Sequence, residues 1–170
     1  MIEPIGIAQQ RPVLAATERY LCEAEQIFDR KFKRIPVLFD LRGTSAGMYK
    51  VLGKRRWIRY NPWIFAKYYE LNVRDTVPHE VAHYIVDEMY SKRAKPHGLE
   101  WQRLMAQFEA DPGVTFNLDL TGIPRRIQRT HTYHCLCDAH EVSSTRHNRV
   151  VRGRGTYHCR NCDGKLVYAG

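Results

Sequence analysis

The sequence has no apolar run near the roughly 18 residues that a membrane-spanning helix needs, which excludes that class and leaves no expected membrane partner. It opens without a basic stretch followed by an apolar segment, so no secretory signal is read and the cytoplasm is the expected compartment. No internal repeat and no low-complexity tract is present, which excludes solenoids and fibrous chains. Cysteines are few, five in 170 residues. With 44% apolar residues, a chain of this length buries a core without disulfides. The glycine-containing stretch Gly43-Thr44-Ser45-Ala46-Gly47 lacks the lysine of a phosphate-binding loop and reads as a turn.

Acidic residues are scarce in one place. Residues 1–120 carry 18 Lys+Arg against 15 Asp+Glu, whereas residues 121–170 carry 9 against 3. Most of the formal charge of +9 therefore sits in the last 50 residues, and a polyanion such as DNA is the expected partner.

Apolar spacing predicts an amphipathic helix over residues 13–28. An edge strand is expected around Pro36, over residues 35–39. Residues 46–52 and 57–60 flank Gly53-Lys54 as a hairpin. Asn61 is the expected cap of a helix running from Pro62 to Tyr69. Asp75 or Thr76 is the expected cap of the next, which reaches about Tyr90. Gly98 precedes a third helix, residues 99–110, stopped by Asp111-Pro112-Gly113. The breakers Thr121-Gly122-Ile123-Pro124 set the expected boundary. The expected class is α+β: a body over 1–120, with helices packed on a small sheet, and a β-rich tail over 121–170.

The densest chemistry is His79-Glu80-Val81-Ala82-His83. Two histidines four apart share a helix face and can both reach one zinc. Glu80 then stands beside the metal, placed to take a proton from water. Ala82, Ile85, Val86 and Met89 form the stripe that anchors this helix. A catalytic zinc needs a third protein ligand. Val86 and Met89 occupy the positions a metzincin would use. His97, in the turn Lys95-Pro96-His97-Gly98, is favoured over Glu100. Asp87, one turn past His83, is either a hydrogen-bond partner of a ligand imidazole or solvated.

In the tail, Cys135, Cys137, Cys159 and Cys162 suggest a second, structural zinc. The spacing Cys-x-Cys is one short of the usual knuckle, so Cys137, His140, Cys159 and Cys162 form a rival set. Cys22, alone in the first helix, reads as a small core residue. Arg146, Arg149, Arg152 and Arg154 are expected on a hairpin, where they would touch phosphates. Tyr133, Tyr157 and Tyr168 either stack on bases or pack the tail's own core.

Residues 79–105, with His-Glu-x-x-His followed by His-Gly-x-x-Trp on His79, Glu80, His83, His97, Gly98 and Trp101, resemble the core of the SprT family of zinc metalloproteases. The likeness extends upstream through the hairpin and downstream into residues 146–153 and 157–162. It implies a mini-zincin-like metalloprotease domain with zinc on three histidines and glutamate as base, followed by a zinc-ribbon-like tail. It further implies protein substrates trapped on DNA, as Spartan-like members cleave. The rivals are a non-catalytic zinc-containing nucleic-acid-binding protein and a zinc hydrolase of small molecules.

Overall fold

The computed structural model describes residues 2–113, 118–124 and 129–170. The chain divides into two compact units, Met1–Arg125 and Arg126–Gly170. The first unit begins with helix α1, Ile7–Ile27, which buries Val13, Ala16, Thr17, Tyr20, Leu21 and Ala24 along one face. It starts earlier than the apolar spacing predicts because its first turns are polar and carry no stripe. Cys22 lies on the exposed side, against Glu18 and Arg34, and is not a core residue. Glu25 on the buried side accepts from Lys31, Arg34 and the Phe32 N–H, which closes the loop after α1.

Strands β1 (Val37–Leu38), β2 (Gly47–Leu52) and β3 (Arg55–Tyr60) follow. The sheet order is β1-β3-β2, with β1 parallel and β2 antiparallel to β3. Leu52 pairs with Arg55 across the two-residue Gly53-Lys54 turn, so the expected hairpin forms, with its second strand starting at Arg55 rather than at residue 57. Both β1 and β2 are edges.

Asn61 caps α2, Pro62–Lys67: its Oδ1 accepts from the Trp63 and Ile64 N–H groups. A single turn, α3 (Tyr69–Leu71), leads into a wide π-turn over Asn72–Thr76 and straight into α4, Val77–Tyr90. The expected cap at Asp75 or Thr76 is absent. Asn72 is buried and donates to the carbonyls of Ile64 and Tyr68, and its Oδ1 accepts from the Thr76 hydroxyl. Thr76 is thereby engaged upstream and leaves the backbone helical. Helix α4 is the spine of the core, packed on α1, on α5 (Leu99–Gln107) and on β2. Its Val77, Val81, Ala82 and Ile85 are fully buried. Helix α5 stops before residue 110 because Glu109 turns left-handed and Ala110 donates back to Met105 O.

The second unit holds β4 (Thr130–His134), β5 (Ala139–Ser143) and β6 (Val167–Tyr168), in the order β5-β4-β6. Between β5 and β6 lies α6, Ser144–Val151. Arg146 and Arg149 are therefore on a helix rather than on the expected hairpin. Gly153 (φ +66), just past its end, is the local reason for its stop. Tyr133 is the buried centre of this unit, with Tyr168 at 5.3 Å and its hydroxyl on His147 Nδ1. It packs and does not present a stacking face. Tyr157 lies under Arg146, and Tyr168 is partly exposed. No described helix is long and apolar enough to cross a membrane.

Candidate metal centre

On α4, the one-turn spacing of His79 and His83 brings their Nε2 atoms to 3.2 Å. After α4 the chain reverses through Ser91, which is left-handed (φ +51). It reaches His97, itself at φ +57, a conformation that costs a non-glycine residue on the order of 1 kcal/mol or more. The turn is held by the Gly98 N–H donating to Lys95 O. His97 Nε2 thereby lies 3.0 Å from that of His83 and 3.1 Å from that of His79. Two nitrogens bound at about 2.0–2.1 Å to a tetrahedral zinc stand about 3.3 Å apart. The triangle has the size of a shared coordination sphere. Glu100, the rival third ligand, sits in the first turn of α5 outside the three-histidine group.

The donor chemistry fits a cation as well. Burial pushes His79 down to about 4 and His83 down to about 3, and lowers His97. All three are neutral at pH 7, the form that ligates metal. A neutral imidazole with its proton on Nδ1 offers an Nε2 lone pair, and three Nε2 atoms this close together can offer theirs to one cation. Trp101 forms the wall behind them, with ring centroids at 4.8 Å from His79, 5.7 Å from His83 and 4.8 Å from His97. Its indole N–H reaches the His79 carbonyl at 3.4 Å.

Glu80, one residue on from His79, is rotated onto the face that meets β2. Its Oε2 accepts the Tyr49 N–H at 2.6 Å, and its side chain is buried. Burial pushes its carboxyl up to about 8, while the Tyr49 N–H pulls it down. A divalent cation on the neighbouring histidines would lower it further. Glu80 and His79 open onto a cleft of about 620 Å³, lined also by Thr44, Gly47, Arg74 and Thr76. Sequence patterning marks Gly47 only as the end of a turn. A glycine opening a strand can mark a close approach of backbone, and that is the one signal the sequence carries for it. Asp87 does not reach a histidine. It accepts from the Tyr49 hydroxyl and from Arg56 Nε, each at 2.8 Å, and so ties the hairpin to α4.

In the second unit the sulfurs of Cys135, Cys137, Cys159 and Cys162 all lie within 4.8 Å of one another. His140 Nε2 is 3.1 Å from Cys135 Sγ, beside this group. Burial opposes charge on Cys135, but the N–H of Cys137 and the ring of His140 outweigh it and bring the thiol down to about 5. A thiol held ready to ionise is what a thiophilic cation requires. Both groups are candidate metal sites of a composition consistent with zinc. Among the four arginines, Arg146 and Arg149 lie on α6, while Arg152 and Arg154 follow it, all exposed or partly exposed.

Residues 17–124 match the SprT-like family, and the chain belongs to it. It is 34% identical over 164 residues to Protein SprT of Klebsiella pneumoniae, covering 96% of this chain and 95% of that one. It is 35% identical over 159 residues to Protein SprT of Pseudomonas paraeruginosa, covering 92% and 93%. With Protein SprT of Shewanella oneidensis it shares 34% over 161 residues, covering 94% and 99%. No solved structure matches the chain.

Proposed function

We propose that the chain is a cytoplasmic zinc-dependent endopeptidase of mini-zincin type that acts on proteins bound or crosslinked to DNA. The observation that carries this reading is the convergence of three imidazole Nε2 atoms within 3.2 Å, with the Glu80 side chain on the same cleft. His79, His83 and His97 would hold the catalytic zinc, which when bound supplies a Lewis acid and lowers the pKa of water. Glu80 takes a proton from water in the cleft as the water oxygen adds to the peptide carbonyl carbon, and returns it to the departing amide nitrogen as the C–N bond breaks. The open cleft suits an extended polypeptide better than an enclosed small molecule. The four cysteines would hold a second, structural zinc, making residues 121–170 a zinc-ribbon-like tail. Arg146, Arg149, Arg152 and Arg154 would bind phosphates. On this reading DNA is the partner, and the chain works in the cytoplasm in association with the nucleoid.

The test uses the zinc-loaded chain and one DNA-binding protein, either free or crosslinked to DNA. The crosslinked form is cleaved, the free form much less, and chelator stops both. The double substitution Arg146→Ala/Arg149→Ala lowers the slope of log affinity against log salt by about 2, one for each arginine–phosphate pair removed. Equal cleavage of free and crosslinked substrate, with an unchanged slope, would remove DNA from the reading.

A further inference from the structure

We infer that Gly47 and the main-chain N–H of Tyr49 are positioning elements for Glu80: the outer edge of β2 fixes the side chain that the reading above makes the base. The inference rests on that reading and adds two positions that carry no reactive group.

Three contacts place β2 across α4. The Tyr49 N–H points away from β3, because it is spent on Glu80 Oε2 at 2.6 Å. A donor to a carboxylate is a strong, directional hydrogen bond. Gly47, two residues earlier and on the same outer edge, lies so close to Glu80 that a Cβ there would stand 2.6 Å from Oε1 and 2.7 Å from Cγ. It would also meet Thr76 Cγ2 at 2.7 Å. The third contact is seven residues along α4 on the same face, where the Tyr49 hydroxyl and Arg56 Nε hold Asp87. The strand is thus latched to the helix at both ends of a two-turn span. Within that span one carboxylate oxygen of Glu80 is tied to backbone. The other lies against the bare Cα of Gly47, and both residues line the cleft. Any side chain at Gly47 forces Glu80 into another rotamer.

Tyr49→Pro and Tyr49→Ala both lose the ring and its bond to Asp87, but only proline also loses the N–H. An edge strand tolerates proline where the N–H faces outward. The proline variant should show a kcat about 10- to 100-fold below that of the alanine variant, since small misplacements of a reacting group cost that much. KM and zinc content should be equal in the two. Equal kcat values would overturn the inference. A second readout does not depend on cleavage. In a Thr76→Ser background, Gly47→Ala should lower the melting temperature while Glu80 is present and leave it nearly unchanged once Glu80→Ala has made room. Additive shifts would overturn the inference whether or not the chain cleaves protein. Absence of any cleavage by the unsubstituted chain would instead strike the hydrolase reading.

Discussion

Glu80→Gln should reduce peptide cleavage by about 10²–10⁴-fold, the range contributed by a positioned general base. The substitution keeps the shape of the side chain and an oxygen able to accept the Tyr49 N–H, so the packing against β2 survives. It removes the proton acceptor alone. Because burial already disfavours charge on this carboxyl, a neutral amide there should not lower stability. Initial rates on a DNA-crosslinked substrate, with metal content and melting temperature measured on the same sample, separate these effects. Undiminished cleavage would remove Glu80 from the chemistry. Loss of metal together with cleavage would make its role structural.

The second large effect concerns folding of the tail. Among the described residues of the second unit only Tyr133, Val142 and Cys159 are buried. Three buried side chains cannot offset the ordering of a unit this size, at about 1.5 kcal/mol per residue. A structural zinc contributes about 10–16 kcal/mol in small zinc domains, which is enough to decide the outcome. Cys159→Ser should therefore unfold Arg126–Gly170 and leave Met1–Arg125, with its own extensive core, at its original melting temperature. Amide spectra would show it as collapsed dispersion for Tyr133 and Tyr168 with the α4 signals unmoved. A second unit that stays folded without metal would contradict the assignment of the cysteines.

Local chemistry makes some elements legible in the sequence. Gly53-Lys54 between two β-prone runs gives the hairpin, and Asn61-Pro62 gives a capped helix start. The His-Glu-x-x-His spacing needs only helical periodicity to put two imidazoles on one face. Contacts distant in sequence are not legible. The π-turn exists because Asn72 reaches the carbonyls of the preceding helix, and no spacing rule encodes that. Asp87 faces a tyrosine and an arginine of the hairpin, not the histidine one turn away. The role of Gly47 emerges only when β2 is laid against Glu80. Helix α6 does carry a stop signal, Gly153, but the cysteine spacing around it favours a hairpin and masks it.

Zinc bound per chain, measured for the unsubstituted protein and for His97→Ala, probes the three-histidine centre without relying on turnover. Two zinc ions in the first and one in the second are expected, since His97 supplies one corner of the triangle and the cysteine group lies in the other unit. A His97→Ala protein that still binds two, as tightly as before, would show that His97 holds no metal.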